Sequence, residues 1–208
     1  MMIIIYREVS LPKNLERKAE TRQRILDAAC RLFRKEGLEG AGIAEIMAEA
    51  GLTHGGFYAH FADKEALMAE ALEAAMAEGR EKWLAGLEAH PPDEAYRSIV
   101  GRYLSRTHRD MPASGCPMPA LGGEIARRGD RARKGFERAL IGTLDALEPR
   151  MPETGRLGAR ERAIATVALA VGGLLISRMV ADTDLSDAIL LACRRAAAPG
   201  LSPDPASR

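Results

Sequence analysis

The chain has 208 residues, ample for a real core, with 30 Lys and Arg against 29 Asp and Glu and a net charge of +1. That balance argues against non-specific polyanion binding by the whole surface, but it leaves room for a local basic face. Aromatic residues make up only 4% while Ala and Leu are abundant, which predicts an all-α protein rather than a sheet. Cys30, Cys116 and Cys193 are odd in number and far apart, so neither a disulfide framework nor a zinc site is expected. The opening "MMIIIY" is too short for a membrane span or a signal sequence. No other stretch reaches spanning length free of charges, so the expected compartment is the cytoplasm, with no membrane partner.

Residues 1–14 read as a loose arm, with Pro12 and Asn14 as breakers. A first helix begins at Leu15; Ile25, Leu26, Ala29, Leu32 and Phe33 recur at helical spacing, and Gly37 stops it. Ile43, Ile46, Met47 and Ala50 mark a short second helix ended by Gly51. Thr53 is expected to cap a third segment, and Asp63 a fourth that runs through Leu67 and Ala71 towards Trp83. The loop "AHPPDEA" closes that helix near residue 90. Further helices are predicted over 94–109, from about Cys116 through Arg127, and over 130–148, 159–181 and 184–197. Pro117 and Pro119 are tolerated only in a first helical turn, which makes Cys116 the N-cap. The last residues, 199–208, lack periodicity and are expected to be disordered. The chain divides accordingly into an N-terminal unit, 15–62, and a helical domain, 63–198, entered through a connecting helix, 63–85.

The stretch "AEAGLTHGGFYAHFADKEAL" carries the most chemistry. Short helices joined by Ala50-Gly51-Leu52-Thr53 describe a helix-turn-helix, in which Ile46, Leu52, Phe57 and Phe61 pin the pair to the first helix. His54, Gly55, Gly56, Tyr58 and His60 are left on or near the outer face of a very short helix. The N-terminal end of such a helix enters the DNA major groove, and small residues let its backbone come close. An ordinary helical hairpin would share the turn. It would have less reason for two glycines, which weaken a helix by roughly 1 kcal/mol each relative to Ala.

The motifs R-x-x-I-L-x-A-A-x-x-L-F, then A-G-L-T, then F-Y-x-H-F-x-x-K-x-x-L resemble the DNA-binding domain of the TetR family of bacterial transcriptional regulators, over roughly residues 18–70. The resemblance implies an all-α homodimer, each subunit with a DNA-binding head and a C-terminal core for a small molecule whose binding separates the heads. It places Thr53, His54 and Gly56 at base edges, and Tyr58, His60 and Lys64 at phosphates. Lys64 also has its own logic, since an ammonium in that first turn reaches a backbone phosphate. His60, between inward-facing Phe57 and Phe61, reads equally as a packed histidine. Gly42 departs from the family, which has a capping Thr at the start of the second helix. Lys13, Arg17, Lys18, Arg22 and Arg24 are interleaved with Glu16 and Glu20, as on a solvated face; of these, Arg22 is the candidate phosphate contact.

In the second domain, "AIATVALAVGGLLISRMV" is apolar on nearly every side and must be buried all round. Val171, Gly172, Leu175 and Met179, with Ile189 and Cys193 of the last helix, are the expected two-fold interface between subunits. A central core helix in a monomer would look the same, but a palindromic operator needs two heads about 34–36 Å apart. Trp83, Tyr103, His108, Met111, Met118 and Phe136 are candidate walls of a ligand pocket, although such residues also serve as plain core. Arg178 is expected to pair with a carboxylate such as Glu124, or to meet an anionic ligand. Cys116, at a helix N-terminus, is expected to have a lowered pKa. It is either an inert buried thiol or an electrophile and oxidant sensor.

No metal-ligand spacing, nucleophile elbow, phosphate loop or paired carboxylate set is present in the sequence, so neither an enzyme nor a cofactor is expected. The reading is a DNA-binding regulator, in all expectation a repressor, with three partners: double-stranded operator DNA, a second copy of itself and a small-molecule effector. An effector-independent DNA-binding protein of the same fold is the alternative.

Overall fold

The computed structural model describes residues 13–152 and 157–198. The arm over 1–12 and the tail over 199–208 lie outside the described residues. In chain order the helices are α1 Lys13–Gly40, α2 Ile43–Glu49, α3 Lys64–Leu84, α4 Pro92–Tyr103, α5 Arg106–Asp110, α6 Pro117–Ala126, α7 Asp130–Leu147, α8 Ala159–Met179 and α9 Thr183–Ala197. Short 3-10 segments supplement them, and no strand occurs among the described residues.

Local chemistry sets most boundaries. α1 is interrupted at Gly37, whose φ of 83° is left-handed. Gly51 (φ 66°) turns the chain between α2 and the 3-10 segment His54–Ala59, a conformation that L side chains rarely adopt. Asp63 accepts the Ala66 N–H at 2.6 Å and starts α3 as expected. Cys116 (φ −61°, ψ 133°) is extended ahead of Pro117 and Pro119, so α6 begins where the prolines require.

Three expectations are corrected. Lys13 and Asn14 belong to the first turn of α1 rather than to an arm. The single helix expected over 94–109 is two helices, because the Ser105 hydroxyl accepts the His108 N–H at 3.2 Å and starts a new one after Leu104. Thr53 precedes the 3-10 segment in an extended conformation, but its hydroxyl makes no capping bond.

Two cores meet along α3. The first gathers Ile25 and Phe33 of α1, Ile46 of α2, Phe57 and Phe61, and α3 residues up to Ala75. The second begins at Met76 and gathers Tyr96, Val100, Leu104, Leu174 and Leu190. Each fully buried side chain of this size contributes about 1.5–3 kcal/mol. α6 belongs to both: Leu121 and Ile125 join the first core, Cys116 and Met118 the second. Phe136 of α7 packs against both as well.

α8 is long and apolar enough to cross a membrane by length and hydropathy, although Arg160, Glu161, Arg162 and Arg178 keep its charge-free run short of a span, as the sequence expectation has it. It packs against α9, α6 and α7 within the helical domain. It is not buried all round: one face is exposed, with Ile164, Leu175, Ile176 and Met179 along it.

Candidate nucleic-acid interface and ligand cavity

The head presents a compact polar tip. Phe57 is fully buried and stacks on Phe61 with ring centroids 5.8 Å apart. That anchor turns Thr53, His54 and Gly55 outward and leaves Tyr58 62% exposed, its ring edge-on to Phe57. Gly56 sits over Met47, with room for close backbone approach from outside. Arg24 of α1 donates to the Ala50 carbonyl, latching the turn to the first helix. A side chain at Gly51 would meet that guanidinium at 3.0 Å, so the turn needs its glycine for space as well as for φ. Lys64 is half-buried at the start of α3.

Two expected phosphate contacts are redirected. Arg22 is ion-paired with Glu70 of α3, and its guanidinium lies 4.5 Å above the Phe61 ring. It therefore fastens α1 to α3. His60 has its Nδ1 buried without a partner, and burial, then Lys18 and Arg22, lower its pKa. It is a neutral packed histidine rather than a cation for phosphate.

In the second domain α3, α4, α6, α7 and α8 surround a narrow apolar cavity of about 60 Å³. Small-molecule pockets run roughly 300–1,000 Å³, so a molecule of that class fits only if the walls move apart. Of the expected walls, Trp83, Tyr103, Cys116 and Met118 line it. His108 stands behind them, its ring 4.6 Å from Trp83 and 4.7 Å from Tyr103. Met111 is 55% exposed and Phe136 lies between the cores, so neither faces the cavity. Tyr96, Ile99, Thr166 and Val167 line it unforeseen. An apolar helix such as α8 has no polar face to fix which side points inward.

His108 holds the α4–α5 corner to the start of α6. Its Nδ1 donates to the Tyr103 carbonyl at 2.7 Å, and its Nε2 accepts the Cys116 N–H at 2.9 Å. The second bond requires an unprotonated Nε2, and burial pushes the imidazole down to about 4. Gly115 is needed here, since a Cβ would lie 2.6 Å from the His108 ring.

Cys116 is only 4% exposed, and burial pushes its thiol up. The lowered pKa expected from the helix N-terminus is overturned, because desolvation of a thiolate outweighs a partial dipole charge. Arg178 does not meet Glu124. Its guanidinium donates to the carbonyls of His108 at 2.6 Å and Arg109 at 3.0 Å, satisfying the end of α5. Glu124 instead accepts the backbone N–H groups of Leu38 at 3.0 Å and Glu39 at 3.4 Å, beside the Gly37 break. Arg34 of α1 donates to the Gly115 carbonyl at 3.4 Å. α6 is thus bonded to the head at both ends while its first residues line the cavity.

The expected subunit interface is also partly redrawn. Leu175 and Met179 are exposed, Met179 at 73%, and a Cβ at Gly172 would meet nothing within 4 Å. Val171 instead lines the cavity. Cys193 packs on Gly173, where a Cβ would lie 2.5 Å from its sulfur; Gly173, rather than Gly172, lets α8 and α9 approach. Ile189 is half-buried between these environments. Ile164, Ile176 and Leu185 complete the exposed apolar face.

Residues 25–71 match the family model described as bacterial regulatory proteins, tetR family. The chain is 28% identical over 162 residues to the HTH-type transcriptional regulator LmrA of Bacillus subtilis, covering 76% of this chain and 86% of LmrA. A TetR-family regulator from Cytophaga hutchinsonii superposes with a TM-score of 0.73 at 22% identity, over 92% of this chain and 97% of that one. FadR of Bacillus subtilis, solved in complex with stearoyl-CoA, superposes with a TM-score of 0.66 at 16% identity, over 86% of this chain and 99% of FadR. The family is one of transcriptional regulators, not enzymes. From the head's geometry and these likenesses together, residues 25–71 form a DNA-binding domain of the bacterial tetR family, and the chain as a whole shares the fold of TetR-family transcriptional regulators.

Proposed function

We propose that the protein acts in the cytoplasm as a homodimeric repressor on an inverted-repeat operator, and that a small molecule in the cavity releases it. The observation that carries this reading is α6. It lines the cavity at Cys116 and Met118, and it is bonded to α1 through the Gly115 carbonyl and Glu124. A ligand that displaces the start of α6 pulls on the helix that carries the head. The FadR complex shows that a protein of this fold holds a small molecule.

At the DNA, Thr53, His54 and Gly56 face base edges, and Tyr58 and Lys64 meet phosphates. Their exposure supports this for Thr53, His54 and Tyr58. The dimer forms through the exposed apolar face of α8 and α9, since isolated soluble subunits rarely leave so continuous a patch to water. The two parts of the proposal test separately. DNA fragments retained by the purified protein are sequenced, and compounds are screened for release of the enriched fragment. Ile176→Glu is expected to convert a sedimenting dimer to monomers and to abolish retention; a dimer that survives this change would place the interface elsewhere. For the signal, Cys116→Ser is expected to leave release intact, as the buried, raised thiol supports a non-covalent ligand over an electrophile.

A further inference from the structure

We propose, building on that regulatory reading, that the effector is an uncharged, mostly apolar molecule with one hydrogen-bond acceptor, which it presents to the Tyr103 hydroxyl. Tyr103 lines the cavity, and its Oη is buried with no hydrogen-bond partner. A buried unpaired hydroxyl costs stability, and a ligand acceptor at that point recovers it. The Cys116 thiol is the polar group beside it, and sulfur is a weak acceptor, so this contact falls short of a full hydrogen bond. Burial raises the phenol far above its ordinary range, so it stays protonated and donates.

The other hydroxyls on the wall are already committed as donors or paired with each other. Thr143 donates to the Ala139 carbonyl at 3.0 Å. Tyr96 donates to the Ala197 carbonyl at 2.7 Å and lies 3.0 Å from Thr166 Oγ1. No carboxylate lines the cavity to receive a cationic ligand. The buried cations near it are occupied: Arg178 caps α5, and Arg34 holds Gly115 and Glu78. An anion entering among these walls would lose its hydration without compensation. Arg80 is the one lining cation, half-buried with its guanidinium over Gly142 of α7. It is the group through which an acidic ligand would have to bind, and it therefore enters the test.

The test uses three probes of one shape: acetylnaphthalene, which carries a neutral acceptor, ethylnaphthalene, which carries none, and naphthoate, which is charged. Binding to the full chain without DNA is measured by calorimetry. Emission from Trp83, the only tryptophan and a wall residue, locates the probe. Acetylnaphthalene is expected to bind about five- to tenfold more tightly than ethylnaphthalene, and naphthoate the least. Tyr103→Phe is expected to erase the first difference while leaving the melting temperature of the free protein unchanged or higher. Arg80→Met is expected to leave acetylnaphthalene binding unchanged. Naphthoate binding as tightly as the ketone and lost in Arg80→Met overturns the proposal. So does an acetyl preference that persists in Tyr103→Phe, or a melting temperature that falls there, which would show the hydroxyl paired inside the protein. If the expected pattern appears but acetylnaphthalene leaves DNA retention unchanged, the ligand class stands and the regulatory reading falls.

Discussion

The two halves of α3 serve cores of opposite character. The N-terminal half closes a small, fully packed core in which Phe33, Ile46, Phe57 and Leu67 are almost completely shielded. The C-terminal half forms one wall of a cavity that ends in an unpaired hydroxyl. A head that must present a fixed surface to a duplex gains from having no slack. On the proposed reading, the second domain accepts a ligand, and it keeps space and an unmet hydrogen bond at a cost in stability.

That contrast is sharpest under substitution. Phe57→Ala in the packed head is expected to cost about 3–5 kcal/mol and to abolish DNA retention, read by denaturant unfolding and by filter binding. Ala146→Leu, which fills the cavity from α7, is expected to change stability by less than about 1 kcal/mol while blocking ligand binding. Similar costs at both sites would break the comparison.

The next effect is a pH dependence located in the second domain. The folded state holds His108 at about 4 against an ordinary value of 6.5, so the unfolded chain binds the proton more readily between these values. Stability from this group is complete above pH 6.5, falls by about 3 kcal/mol as the pH drops towards 4, and levels off below. Protonation also breaks the bond from the Cys116 N–H, loosening the start of α6. His108→Gln, which does not titrate, is expected to flatten the slope in urea titrations taken across this range.

The smallest effect returns to the head. Gly42 stands at the N-cap of α2 with extended backbone (φ −78°, ψ 155°), no capping bond and open space around it. Gly42→Ser is expected to raise stability by a few tenths of a kcal/mol, visible as a small increase in the urea midpoint.

The same contrast explains what the sequence made legible. The head could be read because its partner is a fixed shape: Gly51, Phe57, Tyr58 and the Asp63 cap each leave a residue-type signature at a set spacing. The break after Leu104 was missed because a single serine cap inside an amphipathic run looks like any exposed serine. Arg178 was assigned a carboxylate because sequence shows charges, whereas its partners are backbone carbonyls that every residue has. Glu124, which clasps α1 beside Gly37, was seen only as that missing partner. The cavity walls contributed by α8 were out of reach because an evenly apolar helix carries no phase. Val171 was therefore assigned to the outside when it lines the cavity.

The central claim is that two of these heads, held apart by the second domain, read one duplex. Sequencing the genomic fragments retained by the purified full-length protein tests it most directly. The account predicts a single enriched inverted repeat, with half-site centres about one helical turn, 34–36 Å, or a multiple of it apart. Retained fragments with no shared motif, or with one unrepeated half-site bound by single subunits, would contradict it.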